Sequence, residues 1–222
     1  MRKRLRIAVI VAAVGLLLMA VGVLSLYVAS QQVPDFYQRA MQADPAAQKA
    51  ASDKMLQQAT ALASDVKKEG RWQALFTEEQ INGWLAVDLV KNHRDLLPPS
   101  VSNPCVQIEP DRMSLACRFQ EGRMQSVLSL TVGVYLAESS AIALRIRKAR
   151  AGSMPLPLDS VLSRVSEAAR HTGQKIQWRQ VDGDPVALIS LDSAQQGRTT
   201  VEIDTFVLRK GEIYIAGTTK RR

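Results

Sequence analysis

The chain has 222 residues, a formal net charge of +8 and 5% aromatic residues. Part of its positive charge is concentrated in seven residues at the two ends of the chain: Arg2, Lys3, Arg4, Arg6, Lys220, Arg221 and Arg222. Without them, 22 basic residues stand against 21 acidic ones, so the body of the chain is nearly neutral. It has no basic stripe or recognition motif, and its few aromatic residues offer little base stacking, which argues against a nucleic-acid partner.

Residues 7–29 are 23 consecutive residues without a charge. At about 1.5 Å per residue, this run spans the roughly 30 Å hydrocarbon core of a bilayer, and we predict a single transmembrane anchor. The basic tip, residues 1–6, is expected to stay in the cytoplasm, which places the rest outside a bacterial cytoplasmic membrane. The alternative is a cleaved signal peptide ending near Val28-Ala29-Ser30, although the length of the run favours the anchor.

Residues 30–70 are predicted to form a juxtamembrane helical segment, and residues 71–222 an extracytoplasmic α+β domain. Within the first segment, a short helix is expected at 34–42 and a longer one at 45–69, with Asp44 as N-cap and Gly70 as C-terminal cap. The longer helix has a narrow apolar stripe. It is interpreted as packing on its own domain or, alternatively, as docking an envelope protein.

The segment Phe76-Thr77-Glu78-Glu79-Gln80-Ile81 has the pattern of a helix start. Thr77 and Gln80 form a capping box, and the helix is predicted to run to about Lys91. Residues 96–104, with three prolines, are expected to be an irregular connector.

From Cys105 onward, apolar residues mostly alternate with polar ones, which indicates strands of an antiparallel sheet. The predicted strands cover residues 106–108, 113–119, 128–136, 142–146, 175–181, 186–191, 199–208 and 212–217, with a second helix at 158–170. A three-residue turn after Ile108 would set Cys105 opposite Cys117 and allow a disulfide, whereas a two-residue turn would put them out of register. Two buried free thiols are the alternative.

No catalytic, metal or cofactor motif rises above background. His93 and His171 have no second ligand at metal-binding spacing. Asp182-Gly183-Asp184 lacks the later ligands of a calcium loop and is interpreted as a hairpin turn. The chain is therefore expected to have no catalytic residues and no cofactor, and not to be an enzyme.

Two groups of residues are candidate contacts for a ligand. Four basic residues lie close together in the sequence: Arg145, Arg147, Lys148 and Arg150. Of these, Arg145 and Arg147 are predicted to share one face of a strand, where they could contact a phosphate or an anionic lipid head group, although a solvated outer face explains them as well. Seven apolar residues are predicted to line a space for a lipid or, alternatively, to be simple core: Leu130, Val132, Val134, Leu144, Ile146, Leu162 and Val165.

The order of elements, the Phe76-to-Asn82 motif and Ala151-Gly152-Ser153-Met154-Pro155-Leu156-Pro157 before a helix resemble the YpmS-like family of bacterial single-pass envelope proteins. The pattern is also distantly similar to tubular lipid-binding modules. The resemblance implies a curved antiparallel sheet packed with two or three helices, and no catalytic residues. The expected function is a membrane-anchored, non-enzymatic module that binds a lipid or other apolar envelope molecule. The alternative is a scaffold or partner-interaction protein with a filled core and no ligand.

Overall fold

The computed structural model describes residue 29 and residues 32–137, 141–171, 176–190 and 199–221. Its helices are α1 (Asp35–Met41), α2 (Pro45–Asp65), α3 (Glu78–Ala86), α4 (Asp88–Asn92) and α5 (Leu158–His171), with a 3-10 turn at Arg94–Leu96. Its strands are β1 (Gly70–Thr77), β2 (Val101–Glu109), β3 (Arg112–Glu121), β4 (Met124–Ala137), β5 (Ala141–Ala151), β6 (Met154–Pro155), β7 (Ile176–Val181), β8 (Asp184–Ser190), β9 (Thr199–Arg209) and β10 (Glu212–Arg221).

The strands form two antiparallel sheets. The larger has the order β2-β3-β4-β5-β8-β7, with the short β6 paired to β5. The smaller has the order β1-β10-β9. Consecutive strands β2 to β5 are neighbours, as expected for a meander. The predicted α+β class with an antiparallel sheet is confirmed.

Helix α3 covers the free edge of β2 and connects the two sheets. The Asn82 side-chain amide donates to the carbonyl of Val106 at 2.8 Å and accepts from its N–H at 2.7 Å. The Glu78 carboxylate accepts from the N–H of Ile108 at 2.7 Å, and the N–H of Gly211 donates to the Ile108 carbonyl at 2.9 Å. These bonds satisfy backbone groups that an exposed edge strand would offer to another chain.

Both predicted N-terminal helix caps are confirmed. The Asp44 carboxylate accepts from the N–H of Ala47 at 3.0 Å, with Pro45 in the first turn. The Thr77 hydroxyl accepts from the N–H of Gln80 at 3.2 Å, and the Gln80 side chain accepts from the N–H of Thr77 at 2.9 Å. Each arrangement satisfies backbone N–H groups that have no partner inside the helix.

Three predictions near the N-terminal half of the domain were wrong. Helix α2 ends at Asp65, so Gly70 is no helix cap and instead begins β1, a strand that was not predicted. Residues 101–104 of the expected connector belong to β2, where the pairing register shifts between Ser102 and Cys105. The helix expected to reach Lys91 is divided at Val87 into α3 and α4.

The two faces of the larger sheet carry different structures. The face that we call inner holds a buried apolar cluster against which α3, α5 and the smaller sheet pack, and its buried members are Val106, Ile108, Val132, Val134, Ile146 and Leu208. On the opposite, outer face, α1 buries Tyr37 against Cys105, Ala116 and Val127. Because successive side chains of a strand point to opposite faces, the same strands contribute to a packing surface on each side of the sheet.

Within the described residues, no helix has both the length and the apolar character needed to cross a bilayer. The predicted anchor, residues 7–29, lies outside the described part of the chain except for Ala29.

Candidate functional site

Polar and basic side chains face each other across β4 and β5 on the outer face of the sheet. Ser129 is the register partner of Arg150, Thr131 of Lys148, and Gly133 of Arg145. The alternation of β4 sends Leu130 and Val132 to the inner cluster, so Ser129 and Thr131 point the other way. This pairing sets cations on β5 beside hydroxyls on β4.

A one-residue bulge at Arg147 places Lys148 and Arg150 on the outer face. The register passes from Thr131–Lys148 to Val132–Ile146, which leaves Arg147 as the extra residue. In strict alternation, Lys148 and Arg150 would lie on the apolar face of Leu144 and Ile146. The bulge moves them to the outer face instead.

Arg145 and Arg147 lie together, although their electrostatic surroundings differ. A Cβ atom placed on Gly133 would be 3.3 Å from Nε of Arg147 and 3.7 Å from Cβ of Arg145, so both residues flank the same glycine. Arg145 donates to the carboxylate of Asp184 at 2.7 Å and to that of Asp182 at 3.3 Å. These bonds raise the pKa of Arg145, and the two carboxylates balance its positive charge.

The two aspartates that hold Arg145 come from the β7–β8 hairpin. Val181 pairs with Asp184, which leaves Asp182 and Gly183 as a two-residue turn, both with positive φ. This geometry is typical of an Asp-Gly hairpin turn, as predicted. The carboxylates of Asp182 and Asp184 accept hydrogen bonds from Arg145.

Lys148 and Arg150 border a groove of about 340 Å³ on the outer face. One wall is formed by the segment that leads into α1, namely Gln32, Val33, Pro34 and Phe36. The other wall is formed by Ser129, Thr131, Lys148, Arg150, Gly152 and Ser153. We call this space the basic groove. Of the four basic residues that stand out in this part of the sequence, only Arg145 and Arg147 were predicted to share the site, because the bulge that turns Lys148 and Arg150 into the groove has no local sequence signal.

Ser153 fixes the end of the predicted membrane segment to the rim of the basic groove. The N–H and the hydroxyl of Ser153 both donate to the carbonyl of Ala29, at 2.9 and 3.1 Å. Gly152 adopts a φ of +61°, a conformation that glycine takes without steric cost, and its N–H donates to the carbonyl of Val127 at 2.8 Å. The Ala151-to-Pro157 motif thus builds the tight turn between β5 and β6 that receives Ala29.

Six of the seven residues predicted to line an apolar space come together on the inner face. Val132, Val134 and Ile146 are fully buried members of its cluster, which fits simple core packing. Leu130, Leu144 and Leu162 are only partly buried and pack around it. Val165, the seventh, is half-buried on α5 and does not join the cluster.

The two cysteines are free thiols. The turn after β2 has two residues, since Glu109 pairs with Arg112, so Cys105 faces Ala116 while Cys117 pairs with Leu128 on the next strand. Adjacent strand positions point to opposite faces, which separates the two thiols. This is the two-residue turn of the two alternatives, in which Cys105 and Cys117 are out of register for a disulfide. Burial raises the pKa of the Cys105 thiol to about 12.

Metal ligands do not cluster anywhere in the residues that the structure describes. His93 lies at the end of α4 with its Nε2 3.5 Å from the Asp88 carboxylate, and the side chain of His171 lies outside the described part. Comparison with protein-family models, with curated proteins and with solved structures finds no match to this chain.

Proposed function

We propose that the chain is a membrane-anchored, non-enzymatic module of the bacterial envelope that contacts lipid at the membrane surface. In this proposal residues 7–29 are the anchor, residues 1–6 are cytoplasmic, and the domain from residue 30 onward lies outside the cytoplasmic membrane. Membership of the YpmS-like family is part of the proposal and rests on the sequence motifs described above.

The bond between Ala29 and Ser153 is the observation that carries this proposal. Ala29 is the last residue of the predicted anchor, and Ser153 lies on the rim of the basic groove. An anchored chain would therefore leave the bilayer directly beside Lys148 and Arg150. Basic residues close to an anionic membrane surface gain about 1 kcal/mol each from that field, so this face of the domain suits contact with lipid head groups.

A second candidate is an apolar ligand held between α5 and the inner face of the larger sheet. Leu130, Leu144, Leu162 and Val165 keep part of their surface accessible there, whereas Val132, Val134 and Ile146 do not. The Nε1 of Trp178 donates to the Ser166 hydroxyl at 2.8 Å, which holds the helix over the sheet. An acyl chain that replaced water on this surface would gain about 0.8 kcal/mol per CH₂ group.

The scaffold alternative gains less support from α2. Its Ser52 is 1% exposed, Gly83 of α3 packs closely on its backbone, and its Gln58 bonds to the Leu75 carbonyl and to Gln80. The stripe of Met55, Ala59, Leu62 and Val66 is half-buried. The helix thus uses its inward face on its own domain, which leaves a largely polar face for an envelope partner.

Photo-crosslinking in living bacteria tests the proposal. Cells are fed a fatty acid that carries a diazirine, the full chain is isolated from the membrane fraction, and crosslinked peptides are mapped after irradiation. Crosslinks at residues 32–36 and 148–153 are expected. Recovery of the chain in the soluble fraction, or crosslinks confined to other parts of the domain, would contradict the proposal.

A further inference from the structure

We propose that the basic groove is a binding site for a phosphate group, bound by Lys148 and Arg150 and oriented by the hydroxyls of Ser129 and Thr131. The inference rests on the proposed function in one respect, since it names the part of the lipid that the outer face recognises. It adds a specific site and a chemical class to what would otherwise be diffuse attraction to a charged surface.

The two cations are placed to act on one anion. Lys148 and Arg150 are two residues apart on the same face of β5, so their Cα atoms are separated by about 7 Å. Both side chains are exposed enough to move toward a common point between them. Arginine offers a planar fork of donors and lysine a compact ammonium, a combination that suits a tetrahedral oxyanion.

Lys148 and Arg150 differ from Arg145 in their charge partners. Arg145, on the same strand, is already paired with Asp182 and Asp184. Among the described residues, by contrast, no carboxylate forms an ion pair with Lys148 or Arg150. Within the described part of the chain, these two cations therefore give one wall of the groove a charge of +2 that no carboxylate balances.

Hydroxyl groups line the same wall and supply neutral donors. Ser129 and Thr131 are the direct register partners of Arg150 and Lys148, so each hydroxyl lies beside a cation. Ser153 also lines this wall, but its hydroxyl proton is already donated to the carbonyl of Ala29. A phosphate has more acceptor lone pairs than two cations satisfy, and hydroxyl donors fill that need.

The opposite wall of the basic groove is mainly apolar, with Val33, Pro34 and Phe36. A groove with one cationic wall and one apolar wall suits an amphiphile with a phosphodiester head group. The same cations would also hold free inorganic phosphate. The ligand chemistry is therefore a phosphate, and its source is either a phospholipid or a soluble ion.

Chemical protection of lysine in the wild-type full chain tests the site directly. The protein is incorporated into nanodiscs of pure phosphatidylcholine, into nanodiscs with 30% phosphatidic acid, and into phosphatidylcholine nanodiscs with added inorganic phosphate. Acetylation of each lysine by a brief pulse of reagent is then measured by mass spectrometry. Lys210, an exposed lysine in the β9–β10 turn, is the internal reference.

The site predicts that Lys148 is protected by phosphatidic acid while Lys210 is acetylated equally in all samples. Protection by inorganic phosphate as well identifies a soluble-phosphate site, and protection by phosphatidic acid alone identifies a head-group site. Equal acetylation of Lys148 in all three samples overturns the inference. Because lipid crosslinks at residues 32–36 and 148–153 do not require phosphate recognition, they would survive that failure, and the two proposals are therefore distinguishable.

A matched pair of variants provides a second measurement. Lys148→Gln/Arg150→Gln removes two cations from the basic groove, and Arg123→Gln/Lys210→Gln removes two exposed cations from turns. In a titration with water-soluble dihexanoyl phosphatidic acid, the first pair is expected to weaken binding about tenfold or more and the second to leave it unchanged. Equal weakening by both pairs would overturn the inference, because it would show that only net charge matters.

Discussion

Ser153 holds Ala29 through two hydrogen bonds to a single carbonyl oxygen, one from its N–H and one from its hydroxyl. The turn that contains Ser153 also places Gly152 at the rim of the basic groove. One tight turn thus joins the end of the predicted anchor to the β4–β5 pair. In this pair, a bulge places Lys148 and Arg150 on the outer face.

Replacement of Asn82 by aspartate should destabilise the fold. The carboxylate still accepts from the N–H of Val106 but cannot donate to its carbonyl, and Val106 is 2% exposed, so water does not compensate. The expected loss in the free energy of unfolding is about 2 kcal/mol. Denaturation followed by tryptophan fluorescence of the full chain in detergent measures it.

The matched control is Asn103→Asp, at an exposed position of β2. Its effect should be smaller, since the side chain is exposed to solvent. A loss at Asn82 no larger than that at Asn103 would show that the Asn82 amide does not protect the edge of β2.

Replacement of Gly83 by alanine should also destabilise the protein. The added Cβ would lie 2.6 Å from the Gln48 carbonyl oxygen and 2.8 Å from the N–H nitrogen of Ser52, both backbone atoms of α2. Helices α2 and α3 would have to separate, at a cost of about 1–3 kcal/mol. Thermal unfolding of the variant measures this cost.

Gly133→Ala is the control for that change. The Cβ added there meets the flexible Arg147 side chain at 3.3 Å, which can move aside toward solvent. A shift in Tm of the same size for both variants would contradict the close helix contact at Gly83.

Glu78 is expected to make stability depend on pH. Burial raises the pKa of its carboxyl, and the N–H of Ile108 opposes the rise. Since the folded state then binds the proton more tightly than the unfolded state, this group favours folding increasingly as the pH falls through its raised folded pKa toward the ordinary value of 4.5.

The difference between wild type and Glu78→Gln isolates this contribution. The amide still accepts from Ile108 but does not titrate, so the stability of wild type relative to the variant should increase on acidification. The exposed Glu79→Gln is the control. A difference between wild type and Glu78→Gln that does not vary with pH would refute the assignment.

The two cysteines should react only when the protein unfolds. Burial raises the pKa of both thiols, that of Cys105 to about 12, and only the thiolate is nucleophilic. Iodoacetamide at pH 8 should therefore leave Cys105 unlabelled in the native protein and label it in urea. Its rapid native labelling, or recovery of a Cys105–Cys117 bridge from oxidised native protein, would contradict the observed register.

Local signals in the sequence predicted much of this fold because they act within a few residues. The Thr77–Gln80 capping box, the Asp44 cap and the Asp182-Gly183 turn each depend on neighbours in the chain. Strand β1 was missed because its partner is β10, more than 130 residues away, and its own residues alternate only weakly.

The candidate site was harder to predict for a related reason. Arg145 and Arg147 stood out by spacing, yet Arg145 is neutralised by a hairpin that follows almost 40 residues later. Lys148 and Arg150 face the basic groove because of a bulge, and bulges are set by pairing with β4 rather than by the residues of β5 alone.

Paramagnetic quenching tests the central claim, namely that the basic groove lies at the membrane surface, most directly. A fluorophore on Arg150→Cys or, as control, on Lys54→Cys at an exposed position of α2 is followed in nanodiscs whose phosphatidylcholine head groups carry a nitroxide. The account predicts strong quenching at position 150 and weak quenching at position 54. Equal quenching at both positions, or stronger quenching at position 54, would contradict it.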